Sequence, residues 1–204
     1  GYEMEDILRQ RSYKLRGIVN GIDTVKNDPA TDKALFANYD LAHFEKKAEN
    51  KLALQRMLGL PENKDTAMIG MVGRLTEQKG LDLVAAVLEN IMQLPVQLVI
   101  LGQGDWGNEA TFKRAQNDHA AKLRCVLGFS ADRASKIYCG SAMFLMPSKF
   151  EPCGLSQLIA MRYGSVPIVR ETGGLKDTVR PYNHDTGEGN GLTFYSYNAY
   201  DMLD

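Results

Sequence analysis

Only three cysteines occur in 204 residues, Cys125, Cys139 and Cys153. An odd count argues against a disulfide framework, and the spacing fits no zinc pattern, so they read as reduced thiols. Histidine is as scarce: His43, His119 and His184 share no ligand spacing and earn no role. Neither sign of charge dominates, with 24 Lys and Arg against 25 Asp and Glu. Nucleic-acid and anionic-membrane binding both draw on a basic surplus, so neither partner is expected. No apolar run reaches the roughly 18 residues of a membrane span. There is no Asn-X-Ser/Thr acceptor and no secretory leader pattern, so a cytosolic address is expected. No Walker A pattern occurs, which removes the P-loop NTPases. Position 1 is Gly rather than Met, and Asn198–Asp204 reads as the start of a helix, so the chain is expected to be an excised part of a longer protein.

What is present is a regular alternation. With 44% hydrophobic and 24% charged residues, the composition is that of an ordinary globular chain. Short apolar runs at 67–72, 96–101, 123–127, 142–146 and 166–169 read as strands buried on both faces. Between them, 81–94, the segment running to Asn117, 131–139 and 155–163 carry helical spacing. Repeated strand–helix units of this length imply an α/β, doubly wound parallel sheet of Rossmann-like type. Residues 66–204 form this domain. Residues 1–65 break the rhythm and read as linker elements packed on it, with Ile18–Asp23 as a strand entering a turn and Phe44–Leu58 as a helix stopped at Gly59.

Ligands of such sheets sit beyond the carboxyl ends of the strands. The loop after the first strand, Gly73-Arg-Leu-Thr-Glu-Gln-Lys-Gly80, places Arg74 at a strand end and Lys79 at a helix start. Two converging cations can receive a phosphate, with backbone amides as further donors; the alternative is a solvated polar loop. In Pro147-Ser-Lys-Phe-Glu-Pro-Cys-Gly154, Pro152 suits a first helical turn, and the amides of Gly154, Leu155 and Ser156 would face the crevice. Glu151 sits at the rim of that helix end, where it either meets a ligand or caps the helix. Cys153 lacks a nearby His and reads as packing rather than as a nucleophile. Phe129, at the third strand's end, either stacks on a base or packs in the core. Gly102-X-Gly-X-X-Gly107 matches a dinucleotide fingerprint, but it follows the second strand, and the acidic residue that should end the next strand is absent.

Together, Gly73-Arg-Leu-Thr-Glu-Gln-Lys-Gly-Leu-Asp82, Pro147-Ser-Lys-Phe-Glu-Pro-Cys-Gly-Leu-Ser-Gln157 and Glu171-Thr-Gly-Gly-Leu-Lys-Asp-Thr178 resemble the bacterial glycogen and plant starch synthases. Ile18–Asp23, Thr31-Asp32 and Gly189–Phe194 fit the same family in the same order. The resemblance implies the C-terminal half of a two-domain GT-B glycosyltransferase, moving glucose from ADP-glucose to the 4-hydroxyl of an α-1,4-glucan with retention. It implies that Arg74 and Lys79 grip the donor diphosphate and that Glu151 faces the glucosyl unit. Gly73, Cys153, Gly154, Leu155, Ser156, Thr172, Gly173 and Gly174 would line the donor, with Phe129 against the adenine. No metal or other cofactor is implied. The setting would be a bacterial cytoplasm, or a plastid in a plant, and the lone fragment is expected to be inactive because the N-terminal domain is absent.

Several positions depart from the family. Ile159 stands where related transferases place a second Glu for ribose. Lys26-Asn27-Asp28-Pro29 lacks the Trp usual before that turn. A glycan phosphorylase would need a lysine for pyridoxal phosphate between Gly154 and Gly164, and none is there. A UDP-glucose enzyme of the same architecture and a nucleotide-binding module without catalysis are the alternatives.

Overall fold

A computed structural model describes residues 4–204; the first three positions of the 1–65 connector lie outside the described residues. The elements run α1 (Glu5–Gln10), α2 (Lys47–Leu58), β1 (Ala67–Val72), α3 (Leu81–Ala86), α4 (Leu88–Gln93), β2 (Val96–Gly102), α5 (Trp106–Asp118), β3 (Leu123–Leu127), α6 (Ala131–Gly140), β4 (Met143–Met146), α7 (Ser156–Arg162), β5 (Val166–Arg170), α8 (Gly173–Thr178), β6 (Leu192–Phe194) and α9 (Ala199–Leu203).

The six strands form one sheet in the order β3-β2-β1-β4-β5-β6, and every pairing is parallel. Strand alternation divides the core into two layers. Ile69, Met71, Leu98 and Ile100 point to the side covered by α3, α4 and α5. Met68, Val99, Leu101 and Phe144 point to the side of α2, α6 and α7. The chain builds outward from β1 through β2 to β3, then returns to add β4 on the other side of β1. The switch point therefore lies between β1 and β4, and a crevice opens there at the strands' carboxyl ends.

The segment before β1 is tied to this sheet through α2. Leu54 is fully buried against Gly140, whose added Cβ would lie 2.6 Å from the Leu54 side chain. Tyr39 donates its hydroxyl to the Tyr163 carbonyl at 2.7 Å, and Tyr163 donates its own to Asp32 Oδ2 at 2.5 Å. Lys47 buries its ammonium against the carbonyls of Cys139 and Tyr163. Burial lowers its pKa to about 8.

Four expectations need correction. Ile18–Asp23 is no strand: Ile18 is 94% exposed, the backbone joins no ladder, and Asp23 Oδ1 instead accepts from the amides of Val25 and Lys26. Two apolar residues before Asn-Gly are too few to hold an edge without a neighbouring strand. The single helix expected over 81–94 is two, broken at the buried Val87, where φ is −117° and ψ 19°. Periodicity continues across that break because Val84, Val87, Leu88 and Ile91 all reach the same core. A sixth strand, Leu192–Phe194, was not anticipated, being only three residues long. Finally, α7 begins at Ser156, so Pro152 lies in the preceding turn and not in the first helical turn.

Candidate functional site

The loops that follow β1 and β4 face one another across the switch point and are stitched by backbone. Lys149 donates its amide to the Gln78 carbonyl at 2.9 Å, and Gln78 Nε2 reaches the Phe150 carbonyl at 3.4 Å. Gly80 makes the approach possible. Its φ is +75°, and a Cβ there would fall 2.1 Å from the Pro147 carbonyl oxygen. An L side chain would be strained by the dihedral and would also strike backbone.

Three predicted side chains converge in this junction. Lys79, at the end of a short 3-10 turn, forms an ion pair with Glu151 Oε2. Glu151 is only 8% exposed and also accepts from Ser148 Oγ at 3.4 Å. Arg74 stands in the same loop, exposed, with Nη2 on Gln78 Oε1 at 2.9 Å. The cavity beneath them is lined by Gly73, Arg74, Leu75, Lys79, Met146 and Ser148, at the carboxyl ends of β1 and β4. Glu151 does not cap α7, because that helix starts five positions later and no side chain caps it.

The glycine-rich turn after β5 closes the third side. Gly174 donates its amide to the Glu151 carbonyl at 3.0 Å, and a Cβ on Gly174 would sit 2.1 Å from the Cys153 carbonyl oxygen. Thr172 is the N-cap of α8 in extended conformation, and Gly173 lies against the Glu151 carbonyl. Gly154 adopts φ +71°, and Gln157 Nε2 holds the carbonyls of Cys153 and Gly154 at 3.2 and 3.0 Å. Among the described residues, the amides of Gly154, Leu155 and Ser156 meet no acceptor, which leaves three donors together at the entry to α7. Cys153 is half-buried rather than packed away, and its Sγ accepts from the Asn20 amide at 3.1 Å.

Phe129 stands apart from this cluster. It is 73% exposed beyond β3, so it does not pack in the core. Its loop adjoins the one after β2 through the bond from the Gly128 amide to the Gly102 carbonyl at 2.9 Å.

Several contributors escaped the sequence reading. Gln78, Ser148, Lys149, Arg170 and Tyr197 all touch the two central loops. Gln78, Ser148 and Lys149 lie inside the two loop motifs themselves. Arg170 and Tyr197 act on backbone from elsewhere in the chain, and no local pattern marks them. Among the described residues, no three His, Cys, Asp or Glu side chains gather as a metal would require, and no helix is long and apolar enough to cross a membrane.

Comparison with known proteins places the chain in a family. The family described as Glycosyl transferases group 1 matches residues 58–204. The chain is 56% identical to a protein named glycogen synthase from Clostridium acetobutylicum, across 100% of this chain and 43% of that protein. It is 53% identical to a glycogen synthase from Bacillus cereus over the same shares. The chain thus spans less than half the length of the curated relatives it matches. Among solved structures it resembles the catalytic domain of starch synthase IV from Arabidopsis thaliana bound to ADP and acarbose. The TM-score is 0.90 at 36% identity, covering 98% of this chain and 42% of that one.

Proposed function

Since the chain belongs to the group 1 glycosyl transferases, we propose that it is the donor-binding half of a glycogen or starch synthase that takes glucose from ADP-glucose. The acceptor is the 4-hydroxyl of an α-1,4-glucan, and the anomeric configuration is retained. The observation that carries this reading is the meeting of Lys79, Glu151 and Arg74 at the β1–β4 switch point. The glycogen synthase relatives and the ADP-bound starch synthase neighbour support this choice of substrate class.

In this reading Arg74 and Lys79 hold the diphosphate. As the glycosidic bond breaks, negative charge grows on the leaving phosphate, and fixed cations stabilise it more than they stabilise the intact donor. The free amides at Gly154, Leu155 and Ser156 add donors to phosphate or sugar oxygens, and Gly73 lets the β1 loop come close to the ligand. Glu151 turns its carboxylate to the glucosyl unit, holds hydroxyls and offsets the positive charge of the oxocarbenium-like state. Phe129 offers its exposed face to the adenine. The cations perform the charge neutralisation that a divalent metal supplies elsewhere, so the reading calls for no metal. The acceptor side belongs to a second domain, and the isolated chain turns nothing over. The setting is a bacterial cytoplasm.

Calorimetric titration with ADP, UDP, NAD and ADP-glucose, without metal, tests the proposal. Saturable binding of ADP and ADP-glucose with weaker UDP is expected. Arg74→Ala should weaken ADP by about 1–3 kcal/mol, the scale of a charge-assisted hydrogen bond. A preference for UDP would move the donor to UDP-glucose. Silence with every nucleotide, or an Arg74→Ala variant that binds as well as the parent, would sink the assignment.

A further inference from the structure

The loop that carries Glu151 is gripped from the side opposite Lys79. Arg170, the last residue of β5, sends Nε to the Ser148 carbonyl at 2.9 Å and Nη2 to the Lys149 carbonyl. Its Nη1 reaches the Tyr195 carbonyl at 3.4 Å, joining the segment after β6 to the same loop. Tyr197 lies over this grip. Its ring centroid is 5.5 Å from the Arg170 guanidinium and 5.7 Å from Lys149 Nζ. Both are within the range of attraction between a cation and an aromatic face. The Tyr197 hydroxyl donates to Asp82 Oδ1 at 2.6 Å and lies 3.3 Å from the Glu77 carbonyl, in the loop of Lys79. Lys149 is itself ion-paired with Glu77. One arginine and one tyrosine therefore touch both halves of the Lys79–Glu151 junction without touching either of those side chains.

We propose that Arg170 and Tyr197 are positioning residues, which hold the Pro147–Gly154 loop in register with the Gln78–Gly80 loop so that Glu151 stays aimed at the glucosyl unit. The geometry favours this over a generic packing role. Arg170 spends three donors on carbonyls of the site loop and its neighbour, where a guanidinium's planar fork can hold several acceptors at once. Burial, then the hydrogen bond to Asp82, raise the pKa of the Tyr197 phenol, so its donor persists above the ordinary titration range of tyrosine. The functional part of the inference rests on the donor-site reading above; the clamp itself does not.

Two measurements on the chain separate these parts. The first is amide hydrogen exchange at Lys149 and Gly174, whose amides bond the Gln78 and Glu151 carbonyls across this loop, in the parent, Arg170→Ala and Tyr197→Phe. Arg170→Ala should speed exchange there by about tenfold or more, and Tyr197→Phe by less, with β1–β3 unchanged. Tyr197→Phe keeps the ring between its cations and loses only the hydroxyl, so it guards against a variant that merely fails to fold. Unchanged protection of the loop in both variants would overturn the clamp whether or not any nucleotide binds. The second is the ratio of ADP-glucose to ADP affinity. Both variants should lower that ratio about threefold or more while ADP affinity stays within about twofold of the parent. Equal losses for both ligands would mean a purely structural role and would overturn the positioning claim. A parent chain that binds neither ligand would refute the donor reading and the positioning claim with it, while the exchange result still decides the clamp.

Discussion

The ammonium of Lys79 and the carboxylate of Glu151 neutralise one another across the junction of β1 and β4. Both groups are largely removed from water, so neither can lose its partner without cost. On the proposed function, an incoming diphosphate would have to share Lys79 with Glu151 and approach a negative charge. Glu151→Gln removes both obstacles while keeping a hydrogen-bonding side chain of the same size. That variant is expected to bind ADP more tightly, by about three- to tenfold, and to lower the ratio of ADP-glucose to ADP affinity. Calorimetry decides; weaker ADP binding would show that the pair does not compete with the ligand.

Phe129 is exposed and contributes little to the core. Phe129→Ala should leave the melting temperature within about 1–2 °C of the parent. If the ring stacks on the base, ADP affinity falls by about 1–2 kcal/mol, at the low end of the range for base–aromatic stacking. An affinity equal to the parent's would remove Phe129 from the site.

Two glycines of the β1 loop should behave differently. A Cβ on Gly80 meets the Pro147 carbonyl oxygen at 2.1 Å, whereas one on Gly73 meets nothing within 4 Å. Gly80→Ala is expected to cost about 2 kcal/mol or more through strain at positive φ and the forced parting of the loops. Gly73→Ala should cost a small fraction of that. Thermal melts of the two variants make the comparison, and equal melting temperatures would contradict the close approach of Gly80 to Pro147.

Lys47 gives a pH dependence remote from the site. Its folded pKa is lowered to about 8 by burial, below the ordinary 10.5. Between the two values the unfolded chain binds the extra proton, so stability rises with pH. From pH 7 to 9 the gain should be about 1 kcal/mol, after which the buried Cys139, its pKa raised to about 12, works in the opposite sense. Denaturant melts of the parent should show the rise, and Lys47→Met should flatten it. A parent curve that is flat or falls from pH 7 to 9 would contradict the burial of this charge.

Five strands were legible because each is a short apolar run ending near glycine or a polar loop, and a buried parallel strand needs little else. The parallel order then put Arg74, Lys79 and Glu151 at one edge without any knowledge of contacts. What escaped was set by tertiary context. The break at Val87 leaves the apolar spacing intact. The start of α7 depends on the left-handed turn at Gly154 and on Gln157 holding the carbonyls before it. Arg170 and Tyr197 act on carbonyls that every residue possesses, so their partners have no signature in composition. Phe129 could be placed at a strand end, but only the fold decides that it faces outward.

The sheet order has a bearing on how the chain comes to its native state. β1 finds β2 after α3 and α4 alone, but it meets β4 only after β2, α5, β3 and α6 have followed them. Closing that larger loop costs more entropy and is slower to search. The crevice at the switch point exists only once this late pairing is made, because its two walls are the loops after β1 and β4. A ligand that binds there selects chains that have completed the pairing. It therefore lowers the unfolded population by mass action, to an extent set by its concentration relative to its dissociation constant.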